Sequence, residues 1–247
     1  MSEALILIPG LLCDAEVWAP QTAALADLAT PVVPDHGSRD SLGGMAEAIL
    51  ERAPAQFALA GHSMGGRVAL EVMRRAPRRV RALALLDTGC LPLAPGAPGE
   101  RERAGRLALL EVARCEGMRA MCRRWLAIPT IHPERLGDEP LVTPILNMFE
   151  RKTPAIFEAQ IRALLERPDA SDVLPAIDCP TLVLCGREDA LSTLAAHQEM
   201  ADRIPGSTLV SIARCGHMAT LEQPAEVNAA LRGWLGRIRS ERGSPRP

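Results

Sequence analysis

A serine held between two glycines is the feature of this chain that most directly suggests chemistry. The segment Phe57-Ala58-Leu59-Ala60-Gly61-His62-Ser63-Met64-Gly65-Gly66 carries an apolar run through G-x-S-x-G and into a helical pattern. Glycines are needed at both flanks where a strand turns sharply into a helix, because neighbouring side chains would clash there. Such a turn lifts the Ser63 hydroxyl above the strand end, with a helix N-terminus behind it to stabilise negative charge. A free hydroxyl is a poor nucleophile and needs a base, which in turn needs an orienting acid. Among the five histidines, His62 adjoins Ser63 and should point the other way, and His132 and His197 read as surface residues on helical segments. His36, after Pro34-Asp35, is expected to line the mouth of the site. His217 follows the last apolar run directly, in Cys215-Gly216-His217-Met218, and is the favoured base. Asp189, just past the run at 181–185, is the favoured acid; Asp87 is the serious alternative, and Asp35 lies farther along the sheet. Backbone N–H groups of Met64 and of Leu11, with Leu12 as its competitor, are the expected oxyanion donors.

The elements that must hold these groups are legible as short apolar runs alternating with helical patterns, the mark of a parallel sheet flanked by helices. The runs are Leu5 to Ile8, Pro31 to Val33, Phe57 to Ala60, Val80 to Leu86, Thr181 to Cys185 and Thr208 to Ile212. They are continuous rather than alternating, as strands buried on both faces require. Helices are expected near Trp18–Leu28, Ser41–Ala53, Gly65–Ala76, Leu194–Ile204 and Ala225–Arg239. No strand signal falls between Asp87 and Thr181. That stretch reads as helices near Glu100–Cys115, Met118–Ala127, Pro140–Lys152 and Pro154–Arg167, so residues 92–171 are expected to form a helical cap on a core of 1–91 and 172–247. Long insertions of this kind are usually functional. Ser240 to Pro247, polar and Pro-rich, is expected to fray.

Composition narrows the chemistry further. Among 247 residues there is no Tyr, aromatics are 2%, and the formal charge is −2. Nucleic-acid stacking surfaces and a broad basic field are therefore not expected. Lys152 is the single lysine among 28 basic residues, which removes a P-loop lysine and a Tyr/Lys pair and leaves Schiff-base chemistry only Lys152. Seven cysteines without C-x-x-C or zinc spacing read as reduced, mostly buried thiols of a cytoplasmic protein. No run is long enough to span a bilayer, and no metal or cofactor is called for by the serine chemistry.

Taken together, Leu7-Ile8-Pro9-Gly10 leading to Glu16-Val17-Trp18, the turn at Gly61–Gly65, Leu182-Val183-Leu184-Cys185-Gly186 before Asp189, and Gly216-His217 leading to Glu222-Gln223-Pro224 resemble the α/β-hydrolase superfamily. The similarity is to its small serine esterases and lactonases with a helical cap, the group of the pimeloyl-carrier methyl esterase and 3-oxoadipate enol-lactonase. The chain order Ser63, Asp189, His217 is the order of that fold. Pro9 stands where the family usually has His, and His36-Gly37-Ser38 replaces a longer Gly-rich segment. The first strand begins near residue 4, so the resemblance implies about six mostly parallel strands. It also implies hydrolysis of the carboxylic ester of a small hydrophobic substrate through an acyl-enzyme on Ser63, with lactonase or C–C hydrolase chemistry open to the same triad. A hydrolase-like ligand receptor is the alternative outside enzymology. Dehalogenase and epoxide hydrolase chemistry is not expected, since those enzymes place a carboxylate where Ser63 stands. Within the cap, Leu107, Leu110, Met118, Met121, Trp125, Ile145, Met148 and Phe149 are expected to face inward, and Met121, Trp125 and Phe149 to contact substrate. Arg119, Arg123 and Arg124 would suit an acidic carrier protein, but Glu111 and Glu116 beside them make a solvated mixed face the simpler reading.

Overall fold

The computed structural model describes residues 3–241. In chain order it runs β1 (Glu3–Ile8), α1 (Ala19–Leu25), β2 (Ala29–Val32), α2 (Leu42–Arg52), β3 (Phe57–His62), α3 (Met64–Arg75) and β4 (Val80–Leu86). Four helices follow without a strand: α4 (Ala97–Cys115), α5 (Met118–Ala127), α6 (Glu139–Glu150) and α7 (Pro154–Leu165). The chain then returns as β5 (Thr181–Gly186), α8 (Leu194–Arg203), β6 (Thr208–Ile212), α9 (Ala219–Glu222) and α10 (Pro224–Glu241).

Among the described residues the six strands form one sheet in the order β2-β1-β3-β4-β5-β6, and every pairing is parallel. Side chains alternate across such a sheet. Leu5, Leu7, Ala58, Ala60, Ala82 and Ala84 face one core, which holds Trp18, Trp234 and most of the buried residues of α4–α7. Ile6, Ile8, Leu59, Leu83, Leu85 and Val183 face the other, against α2, α3 and α8. Central β3 and β5 are buried throughout, whereas edge strands β2 and β6 are only partly covered. The continuous apolar runs of the central strands follow from that double burial.

The sheet reverses its winding between β1 and β3: from β1 the chain steps outward to β2, and from β3 onward it steps the other way. Beyond the carboxyl ends of two strands at such a switch point lies a crevice, which is where ligands bind in open α/β sheets. The loop after β1 and the turn after β3 border it.

Several expectations need correction. The first helix is shorter than Trp18–Leu28: Ala15–Trp18 forms a 3-10 turn, and α1 starts at Ala19, with Pro20 in its first turn, and ends at Leu25. His197 is fully buried rather than on the surface: its Nε2 accepts from Thr88 N at 3.0 Å and its Nδ1 donates to Thr193 O at 2.9 Å. Leu107 is 48% exposed and faces away from the core. α10 continues to Glu241, and the rest of the segment expected to fray lies outside the described residues. Among the described residues, no helix is long and apolar enough to cross a membrane, and Cys13, Cys90, Cys115, Cys122, Cys185 and Cys215 form no disulfide.

Candidate active site

Ser63 sits in the left-handed region, with φ 55° and ψ −121°, between the last residue of β3 and the first of α3. Such a conformation is costly for a non-glycine residue and persists only where its surroundings impose it. Close packing imposes it here. A Cβ on Gly61 would run into the Gly65 carbonyl, and one on Gly65 into the Ile8 carbonyl oxygen. Ser63 N donates to Leu86 O at 2.9 Å, and Ser63 O accepts from Thr88 Oγ1 at 2.6 Å, which ties the turn to the end of β4.

The Ser63 Oγ lies 2.8 Å from His217 Nε2, and His217 Nδ1 lies 2.8 Å from Asp189 Oδ2. With the Nδ1 proton donated to Asp189, Nε2 is left as an acceptor for the serine proton. Asp189 Oδ1 accepts from Leu191 N at 2.8 Å and Ser192 N at 2.9 Å, so the carboxylate is fixed on both oxygens. Burial raises the Asp189 carboxyl, but the His217 charge and hydrogen bond, together with those two amides, outweigh it and leave it below its ordinary value.

Asp87, the competing acid, does not touch the His217 ring nitrogens. Its Oδ1 accepts from Gly186 N at 2.9 Å and its Oδ2 from Ala219 N at 3.2 Å, locking the His217 loop to β5. Complete burial, and then the neighbouring Asp189 charge, push Asp87 well above the ordinary carboxylate value. Glu222 acts similarly from below the loop, accepting from Gly216 N, Met218 N and His132 N. His62 Nε2 donates to His217 O at 2.8 Å; burial, then the nearby His217, push the His62 imidazole down to about 4. His62 is thus a neutral prop under His217, not a second base.

The loop after β1 faces this relay. Leu12 N donates to Gln160 Oε1 at 2.8 Å, which occupies one of the two competing oxyanion donors, while Gln160 Nε2 donates to Gly37 O at 3.0 Å. Met64 opens α3, where the first N–H groups have no intrahelical acceptor. Gln160 was not anticipated, although a Gln between Phe157 and Ile161 on the buried stripe of α7 was the available signal.

A cavity of about 390 Å³ opens over Ser63 and His217, with Leu11, Met64, Met121, Trp125 and Phe149 in its walls. The Trp125 and Phe149 rings lie 5.2 Å apart between centroids. His36 is not among its lining residues: it borders a separate cavity of about 250 Å³, and its Nε2 donates to Pro9 O at 3.1 Å. It props the loop after β1 from behind, and burial pushes its imidazole down to about 4. Arg67, Glu102, Arg106 and Arg167 also line the main cavity and were not anticipated, because they converge from three separate segments. Of Arg119, Arg123 and Arg124, Arg119 pairs with Glu150 and Arg124 with Glu116. Among the described residues no three His, Cys, Asp or Glu side chains come together as they would to hold a metal ion.

The sequence profile described as the alpha/beta hydrolase family matches residues 5–230. The chain belongs to that family. It is 26% identical to the pimeloyl-acyl-carrier-protein methyl ester esterase of Nitrosomonas europaea, over 90% of this chain and 91% of that protein. A thermophilic esterase from Thermogutta terrifontis superimposes with a TM-score of 0.85 at 29% identity, covering 96% of this chain and 91% of that one. The enol-lactonase from Burkholderia xenovorans LB400 has the same fold, with a TM-score of 0.82 at 22% identity over 96% of this chain and 92% of that one. These relatives support a hydrolase.

Proposed function

We propose that this hydrolase cleaves the carboxylic ester of a small substrate with an apolar body, through an acyl-enzyme on Ser63. The observation that carries this reading is the Ser63–His217–Asp189 relay, with both of its hydrogen bonds at 2.8 Å. In the mechanism, Ser63 attacks the ester carbonyl as His217 Nε2 takes its proton. The Leu11 and Met64 N–H groups hold the oxyanion, and Asp189 stabilises the imidazolium. His217 then protonates the departing alcohol, and a water molecule, activated by the same imidazole, releases the acid. Helices α4–α7 serve as the cap, and Met121, Trp125 and Phe149 contact the apolar part of the substrate.

The Nitrosomonas relative is named for a carrier-linked ester. Here the ion pairs of Arg119 and Arg124 with cap glutamates favour a free small molecule over a carrier protein. The thiols of Cys13, Cys90, Cys115, Cys122, Cys185 and Cys215, none of them in a disulfide, support a cytoplasmic setting. The test is a p-nitrophenyl ester chain-length series, run beside a lactone and with fluorophosphonate labelling of Ser63. The reading expects labelling and ester turnover, both absent in Ser63→Ala. Fast lactone turnover beside slow esters would make the chain a lactonase, and ester turnover surviving in Ser63→Ala would end the proposal.

A further inference from the structure

One end of the cavity over Ser63 is charged. Arg67 lies in the first turn of α3, four residues after Ser63. Glu102 and Arg106 come from α4, and Arg167 follows α7. All four line the cavity that holds Ser63 and His217, and Arg101 adds a further, exposed cation there.

The charges at this end do not balance. Arg167 forks onto Glu102, Nη1 to Oε1 at 2.7 Å and Nη2 to Oε2 at 2.8 Å, and Arg106 Nε donates to the same carboxylate at 2.9 Å. Burial raises the Glu102 carboxyl, but those arginines outweigh it and hold it at about 2. One carboxylate therefore serves two guanidiniums, and the clasp joins α4 to the end of α7. That structural role accounts for Glu102, Arg106 and Arg167. It does not account for Arg67, which enters no ion pair among the described residues. Its hydrogen bond there is Nη1 to Leu91 O at 2.8 Å, onto a carbonyl that already accepts from Arg167 Nε at 3.2 Å. Two like charges thus converge on one backbone oxygen. Burial, and then the Arg167 charge, push the Arg67 guanidinium down to about 9, and the Glu102 charge, already clasped by Arg106 and Arg167, does not offset them.

We propose that Arg67 is the recognition residue of a carboxylate subsite, so that the substrate carries a free carboxylate at the far end of an apolar spacer from its scissile ester. The substrate class is the half-ester of a dicarboxylic acid. This rests on reading Ser63 as an esterolytic nucleophile. A single guanidinium fork matches the two oxygens of a carboxylate, and Glu102 at the same end disfavours a phosphate dianion.

Binding tests the subsite apart from turnover. The Ser63→Ala variant is titrated calorimetrically with monomethyl esters of linear dicarboxylic acids from succinate to suberate, and with the matching neutral dimethyl esters. The best monoester should bind about 10- to 100-fold more tightly than its diester, as a charge-assisted hydrogen-bonded contact implies. Adding Arg67→Met should abolish most of that preference, and Arg67→Lys, which keeps the charge and loses the fork, should reduce it several-fold. Circular dichroism shows which variant is folded, and either one suffices. No preference in the parent, including no binding of either ester, overturns the proposal, as does a preference unchanged by a folded Arg67 variant. If Ser63 of the wild type neither labels nor turns over esters while the preference persists, the hydrolase reading fails and the carboxylate subsite stands.

Discussion

In the proposed mechanism Ser63, His217 and Asp189 divide one proton relay among three chemically ordinary side chains, and the division depends on what surrounds each carboxylate. Asp189 is held ionised by amides and by His217, while Asp87 is pushed toward its neutral form by burial and by the Asp189 charge. Ser63→Ala should lower kcat by on the order of 10⁶-fold with circular dichroism unchanged. Asp189→Asn should cost about 10⁴-fold, because an amide favours the wrong imidazole tautomer. Asp87→Asn keeps an acceptor for one of its two amides, so steady-state kinetics should show a far smaller loss than for Asp189→Asn. An equal loss in the two variants would mean that the orienting acid is misassigned.

At the scale of elements, the site is a junction of strand ends and loops braced by polar side chains from distant helices. Gln160 on α7 ties the loop after β1 to the loop after β2. Gln160→Met fills similar space but strands the Leu12 amide and the Gly37 carbonyl, at a cost of about 1–3 kcal/mol. Urea denaturation should show that loss, and kcat should fall with it as the loop after β1, which carries a proposed oxyanion donor, loosens. The turn carrying Ser63 is just as constrained. Gly65→Ala sets a methyl group against the Ile8 and Pro9 carbonyls, so it should cost about 1–3 kcal/mol or more. A Gly65→Ala variant with wild-type urea midpoint and activity would show that this packing is not what holds Ser63.

For the whole molecule, three buried histidines make stability depend on pH. Burial lowers His36 and His62 from 6.5 to about 4, and lowers His197 in the same direction. Between those values the unfolded chain takes up protons that the folded chain refuses. The contribution of His36 and His62 is therefore intact above pH 6.5 and is lost as the pH falls toward 4, at up to about 1.4 kcal/mol per pH unit for each of the two, and His197 acts in the same sense. Asp87, whose carboxyl is raised, acts in the opposite sense over its own range. The urea midpoint should be lower at pH 5 than at pH 8. A midpoint independent of pH would show that these imidazoles accept protons within the fold.

Much of this was written locally. The apolar runs specify buried parallel strands because each central strand has core on both sides, and the glycines of G-x-S-x-G specify the turn because no side chain fits there. Ser63, Asp189 and His217 were legible because each follows a strand, and parallel strands bring their carboxyl ends to one edge of the sheet. His197 and His36 were misplaced because helical periodicity and position after a strand do not reveal which side chain the fold will bury. The bracing of the His217 loop by Asp87 and Glu222, the capture of the Leu12 amide by Gln160, and the meeting of Arg67, Arg106 and Arg167 belonged to tertiary structure alone. Each depends on distances between segments far apart in the chain, and a hydrogen bond or an ion pair is decided within an ångström that no local pattern encodes.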